Sequence, residues 1–289
     1  MNKPLFTGAC TALVTPFIHN EVNYPMAQIL LRRQIDAQIP AVVICGTTGE
    51  APTLSDSEKL QLIAQAKNCA GDKCMIIAGS GSNDTQHAVA LSKAAQSAGA
   101  DALLIVSPYY NKATDEGLIA HYLSIAKAVD LPIIVYNVPG RTGVDMPVSV
   151  YRQLSKIPNI VGVKEASSDI SKFTRILNEC EPGFCVWSGN DDMTVPAMSL
   201  GCHGVISVTS NVYPAQVSAM CSAALAGDYH TAGQLQRDLE PVNRLLFCQV
   251  NPIPVKAAMG LIGYDCGPCR LPLTGLSEEN YHKLSQLLS

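Results

Sequence analysis

No apolar run in this chain approaches the roughly 18 residues that a membrane-spanning helix requires. The first residues, Met1-Asn2-Lys3-Pro4-Leu5, pass into polar Thr7 and Gly8 without a secretory hydrophobic segment, so neither export nor membrane insertion is expected. Runs of five like charges are also missing, and a formal charge of -4 supplies no basic footprint for nucleic acid or an anionic lipid surface. The expected partners are small molecules and further copies of the chain. A GxGxxG turn is absent, which argues against a doubly wound dinucleotide-binding sheet. The eleven cysteines form no disulfide framework by count, since an odd number in a long, apolar-rich chain reads as reduced thiols used as small core residues in the cytoplasm. One close pair, Cys266-Gly267-Pro268-Cys269, has metal-like spacing. No second CxxC or histidine pair completes a four-ligand set, so the pair reads as a Pro/Gly turn and no metal is expected.

What the chain does have is regularity. With 289 residues, 47% hydrophobic and 15% charged, it can bury a large core. Short β-branched runs alternate with longer segments of helical spacing, the pattern of parallel βα units. The strands are expected near Ala12 to Val14, Ala41 to Cys45, Met75 to Ala78, Ala102 to Val106, Pro132 to Tyr136, Ile160 to Lys164, Cys185 to Ser188 and Gly204 to Val208. Eight such runs imply an α/β fold of the (β/α)8 TIM-barrel kind. Ser55-Asp56-Ser57-Glu58 reads as a capping box, and Asn83-Asp84-Thr85-Gln86 opens the next helix in a similar way. About 80 residues follow the eighth strand, with helical spacing near Ala215 to Ala226, Tyr229 to Phe247, Pro254 to Ile262 and Ser277 to Leu288. The expected organisation is a catalytic barrel over residues 1–224 and a helical extension over 225–289 packed on it, with no linker.

In such a barrel the C-terminal ends of the strands form the active-site mouth, and four polar segments stand there. Gly46-Thr47-Thr48-Gly49-Glu50 offers freed backbone amides and two hydroxyls to a carboxylate, and reads equally as an ordinary glycine turn. Ser107-Pro108-Tyr109-Tyr110-Asn111-Lys112 brings two adjacent tyrosines, which point in different directions; loop packing is the plainer account. In Tyr136-Asn137-Val138-Pro139-Gly140-Arg141 a strand-end tyrosine can relay protons, and an arginine five residues on can hold a carboxylate through two hydrogen bonds. The most informative is Ile160-Val161-Gly162-Val163-Lys164-Glu165. A lysine ending an apolar strand is costly to keep charged, and a neutral amine can attack a ketone to form an imine that acts as an electron sink. A lysine snorkelling off the rim toward Glu165 is the bland alternative.

With these motifs in order, and with Ser188-Gly189-Asn190-Asp191 and Gly204-Val205-Ile206-Ser207 beside them, the chain resembles the dihydrodipicolinate synthase family (4-hydroxy-tetrahydrodipicolinate synthases) of the N-acetylneuraminate lyase superfamily. The likeness runs from Gly8 to the C-terminal helices, and the motifs are specific only together. It implies a lyase of class I aldolase type that condenses pyruvate with L-aspartate 4-semialdehyde in lysine and diaminopimelate biosynthesis, without a metal or organic cofactor. It further implies Lys164 as the Schiff-base residue and Thr48 as the pyruvate-carboxylate binder. Tyr136, Thr47 and Tyr110 would form a proton relay, with Tyr110 supplied by a neighbouring subunit. Arg141 would grip the semialdehyde carboxylate, Gly189 and Ile206 would line the pocket, and the assembly would be a homotetramer of two tight dimers. Sialic-acid and keto-deoxy-sugar lyases of the superfamily share the lysine and the strand-end tyrosine, but Arg141 suits a carboxylate rather than a sugar chain. A silent pyruvate-binding relative is the alternative from another class, against which all of Lys164, Tyr136, Tyr110, Thr47 and Thr48 are present.

Many relatives bind lysine as an inhibitor at the tight-dimer cleft. Asn83 and Tyr109 match that cleft, whereas His87 stands where the inhibited enzymes place a glutamate, and Ala51, Asp56 and Lys59 also depart from the sensitive pattern. Loss of a charge-assisted bond of roughly 1.5 to 3 kcal/mol predicts weak or absent lysine inhibition.

Overall fold

The computed structural model describes residues 3–289; Met1 and Asn2, which open the N-terminal segment, lie outside the described residues. Ten strands follow in chain order: β1 (Gly8–Ala12), β2 (Phe17–Ile18), β3 (Glu21–Val22), β4 (Ala41–Ile44), β5 (Met75–Gly79), β6 (Ala102–Val106), β7 (Ile133–Asn137), β8 (Ile160–Glu165), β9 (Cys185–Ser188) and β10 (Gly204–Ser207). β2 and β3 make a short antiparallel hairpin, and the other eight close a parallel barrel in the order β1, β10, β9, β8, β7, β6, β5, β4. The register sets Tyr136 of β7 beside Lys164 of β8, and Lys164 beside Trp187 of β9. Tyr136 and Lys164 are thereby brought side by side near the strand ends.

Seven strands fall where β-branched residues place them; the first does not. It lies at Gly8–Ala12 rather than Ala12–Val14. Its small residues carry little strand propensity, but they permit close pairing: β1 aligns Gly8 with Gly204 of β10, where a Cβ on Gly204 would stand 1.9 Å from the Gly8 carbonyl oxygen. Leu13 and Val14 have already left the strand, and the Val14 amide donates to Asn211 Oδ1 at 3.1 Å. Backbone fit has overridden propensity there.

The core has two parts. Inside the barrel, Cys10, Val43, Ile77, Leu104, Ile134 and Trp187 are buried together. Phe6, just before β1, stacks on Trp187 with ring centroids 4.6 Å apart and plugs the N-terminal end. A larger cluster fills the space between the strands and the surrounding helices. Of the helix starts, Ser55 and Glu58 form the expected reciprocal box, the Glu58 amide donating to Ser55 Oγ at 3.2 Å and the Ser55 amide to Glu58 Oε2 at 2.8 Å. At the next helix Asp84 is the cap, accepting from the Gln86 amide at 2.9 Å.

Helix Pro214–Leu225 packs against β1, and the extension follows as helices Tyr229–Leu246, Ile253–Leu261 and Glu278–Leu288. Tyr229–Leu246 lies along Pro214–Leu225. A buried ion pair ties the extension to the mouth: Lys256 Nζ lies 2.8 Å from Glu50 Oε1, with both side chains almost wholly out of water. The Arg270 amide donates to the other Glu50 oxygen at 2.8 Å. The Arg270 guanidinium grips Glu58 at 2.6 Å, and this hydrogen bond above all holds the Glu58 carboxyl down to about 2. No helix among the described residues is long and apolar enough to cross a membrane.

Candidate active site

The Gly46-Thr47-Thr48-Gly49-Glu50 turn leaves β4 through two residues in the left-handed region, Cys45 (φ 58°) and Glu50 (φ 55°). Neither is glycine, so each costs backbone strain, which the Glu50 contacts to Lys256 and Arg270 offset. Thr48 is buried, and its hydroxyl oxygen accepts from Asn251 Nδ2 at 3.0 Å. Thr47 faces a cavity of about 520 Å³ at the mouth, together with Tyr109, Tyr136 and Arg141. That space exceeds what two small keto or aldehyde acids need, and it extends outward to Asp56, Lys59 and His87.

Lys164 is 5% exposed and sits with Nζ 4.4 Å from the Tyr136 ring centroid. Gly189 makes room for it: a Cβ there would lie 3.1 Å from Lys164 Cε and 2.7 Å from the Ala166 Cβ. Ile206 is fully buried in the same interior cluster as Tyr136 and Trp187. Cys45, which lines the cavity, has its thiol pushed up to about 12 by burial and stays protonated near neutral pH.

Two buried networks stiffen this wall, and sequence reasoning missed both as functional supports. In the first, Glu165 is 0% exposed, and its carboxylate accepts from Asn137 Nδ2 at 2.9 Å, the Ser167 amide at 2.8 Å and Tyr151 OH at 2.9 Å. Lys172 Nζ adds charge from 3.5 Å and also pairs with Asp145. Burial drives the Tyr151 hydroxyl well up, helped by the Glu165 charge, so it remains a donor. In the second, Asp191 accepts from Ser207 Oγ, the Val208 amide at 2.9 Å and the Thr209 amide at 3.3 Å, fixing the end of β10 next to Ile206. Burial nevertheless raises its carboxyl above the usual range, against those bonds and the nearby Lys164 charge. The motifs quoted above contain Glu165, Asn137, Asp191 and Ser207 without pairing them, and the partners Tyr151 and Lys172 lie on helices outside those motifs.

The remaining candidates divide. Arg141 lies on the short helix Pro139–Thr142, and its Nη2 donates to the Asn251 carbonyl at 2.9 Å, so it belongs to the cavity wall. Tyr110 does not: it is 93% exposed, with φ 72°, and does not line this chain's own cavity. His87 Nε2 lies 2.8 Å from Asp56 Oδ2, and its Nδ1 3.2 Å from Ser82 Oγ. The His87 hydrogen bond is the main reason that the Asp56 carboxyl sits below its ordinary value. Asn83 is half-buried and accepts at its carbonyl from Asn111 Nδ2 at 3.0 Å, but it does not line the cavity.

A lysine out of water against a tyrosine ring, in a barrel mouth with hydroxyl and guanidinium donors, is the arrangement of a carbonyl-condensing enzyme. The Dihydrodipicolinate synthetase family profile matches residues 5–289. The chain belongs to this family. It is 48% identical to the 4-hydroxy-tetrahydrodipicolinate synthase of Thermoanaerobacter sp. (strain X514), over 99% of this chain and 97% of that one. Among solved structures it matches the chloride-inhibited dihydrodipicolinate synthase from Acinetobacter baumannii complexed with pyruvate, at 42% identity and a TM-score of 0.96 over 98% of both chains. The enzyme from Cyanidioschyzon merolae with lysine bound matches at 40% identity and a TM-score of 0.95, covering 98% of this chain and 97% of that one. Family membership therefore covers barrel and extension alike.

Proposed function

We propose that this chain condenses pyruvate with L-aspartate 4-semialdehyde to give 4-hydroxy-tetrahydrodipicolinate, with Lys164 as the nucleophile. The single observation that carries the reading is Lys164 Nζ, buried 4.4 Å from the ring of Tyr136, which itself lines the cavity with Thr47 and Arg141. The amine adds to the pyruvate ketone, and water leaves as the imine forms. The protonated imine nitrogen then takes up the electron pair released when a methyl proton departs, giving an enamine. That carbon attacks the aldehyde, the new C–C bond forms, and the alkoxide takes a proton. Attack of the substrate's amine at the imine carbon closes the ring and releases Lys164.

Thr48 binds the pyruvate carboxylate and Arg141 that of the semialdehyde, a division that the geometry supports, since both lie at the mouth and meet at Asn251. Gly189 and Ile206 shape the pocket around the imine. Tyr136 and Thr47 move protons, and the relay is completed by the partner subunit's Tyr110. An exposed tyrosine held in a strained conformation at the edge of a cavity is suited to entering a neighbour's site, and a homotetramer of two dimers follows from that reading. Residues 225–289 act as the extension that closes the mouth through Lys256, Arg270 and Asn251. Eleven unpaired cysteines suit a reducing cytoplasm.

Borohydride reduction in the presence of pyruvate, followed by mass spectrometry, tests the chemistry: the expected result is a reduced pyruvyl adduct on Lys164, and an adduct elsewhere or none rejects it. At the outer end of the cavity His87 is already committed to Asp56 and Ser82, and Lys59 lies 3.3 Å from Asp56, so the one carboxylate there is already engaged by this chain's own side chains. Free lysine is consequently a weak effector. A half-inhibitory lysine concentration below about 0.1 mM would overturn that expectation.

A further inference from the structure

The groups assigned to the two substrate carboxylates meet at one residue of the extension. Asn251, in the link between helices Tyr229–Leu246 and Ile253–Leu261, is 6% exposed. Its side-chain Nδ2 donates to Thr48 Oγ1 at 3.0 Å, while its backbone carbonyl accepts from Arg141 Nη2 at 2.9 Å. Its Oδ1 is buried with no protein partner, so the amide is held by what it gives and not by what it receives.

A hydroxyl has one proton and two acceptor positions. The Asn251 amide occupies an acceptor position on Thr48, and no other protein group among the described residues bonds that hydroxyl. The Thr48 proton is thereby left for an incoming oxygen. We propose that Asn251 is a positioning residue that presets the Thr48 hydroxyl as a donor toward the keto-acid carboxylate, while its backbone carbonyl separately aims Arg141 at the second substrate. This assignment rests on the function proposed above. It accounts for asparagine in particular: aspartate, with the same shape, would place an acceptor and a negative charge against Thr48, turn the hydroxyl proton away from the substrate and repel its carboxylate.

Because one contact is made by the side chain and the other by the backbone, substitution separates them. Asn251→Ala and Asn251→Asp are expected to raise the KM for pyruvate roughly 10- to 100-fold, with Asn251→Asp the worse, and to move the KM for the semialdehyde by less than about threefold. A merely structural role would raise both together. In a Thr48→Val background, Asn251→Ala should add less than about twofold to the pyruvate KM, since the group it acts through is already gone. Additive losses, a joint rise of both KM values, or failure of both variants to fold would each overturn the proposal, a positioning residue being dispensable for folding. Trapping at saturating pyruvate keeps the two readings apart. If the unsubstituted chain takes no label on Lys164, the proposed chemistry is wrong; if it and the variants are labelled but the pyruvate KM is unmoved, only the role of Asn251 fails.

Discussion

The β7–β8 wall, through Tyr136, and the Tyr109–Tyr110 loop, through Tyr109, border the same cavity but are built on opposite terms. In the wall the key charged groups are held within the chain: Lys164 lies against Tyr136, and the Glu165 carboxylate is bonded by Asn137, the Ser167 amide and Tyr151, with Lys172 beside it. At the loop, Tyr110 holds a left-handed backbone conformation while 93% of its surface faces solvent. Burial makes the first region rigid and self-sufficient, whereas the second spends backbone strain on a side chain that gains nothing inside its own chain. Under the proposed function, the site is nearly complete in one protomer and awaits one group from another.

The comparison can be broken at several points. The largest expected effect is at the wall, where Lys164→Ala should lower kcat by roughly 10⁴-fold or more, about 5 kcal/mol of transition-state stabilisation, measured in a coupled assay with both substrates. Next comes the support beneath it: Lys172→Met leaves the Glu165 charge buried without its cation and should cost about 3 to 5 kcal/mol in urea unfolding.

Behind the loop, burial pushes His121 down to about 4 from an ordinary 6.5, and its Nδ1 lies 2.9 Å from Thr85 Oγ1. The folded protein keeps this ring neutral while the unfolded chain takes up a proton below pH 6.5, so stability falls as pH drops from 6.5 to about 4 and this contribution levels off below that. The loss is on the order of 3 kcal/mol, and unfolding curves of His121→Gln should lack it.

Smallest is the exposed loop. Tyr110→Phe should reduce kcat roughly 10²-fold, about 2.7 kcal/mol, and leave stability unchanged. Mixing and reassembling Tyr110→Phe with Lys164→Ala chains should then restore activity to roughly a quarter of normal, because half the random dimers carry one intact site. Absence of recovery would place the action of Tyr110 within its own chain.

Much of this was legible in the sequence because local chemistry and tertiary role coincide. Strand-end lysine, tyrosine and threonines are identified by the apolar runs that precede them, and the Ser55–Glu58 cap by spacing alone. The first strand was misplaced because its fit depends on Gly204 of a strand nearly 200 residues away, which no local propensity reports. The extension was expected as helices, yet its contribution to the mouth was not, since nothing in the segment around Asn251, Lys256 or Arg270 names Thr48, Glu50 or Arg141 as partners.

By itself the sequence determined the alternating barrel and the candidate side chains for the site, since periodicity and residue chemistry are local properties. Which groups meet was decided only when the barrel closed and the extension folded back. Barrel register put Lys164 against Tyr136, and Asn251 joined Thr48 and Arg141, which are far apart in the chain. Hydrogen bonds of about 3 Å between distant segments depend on packing the whole molecule, and no window of sequence contains them.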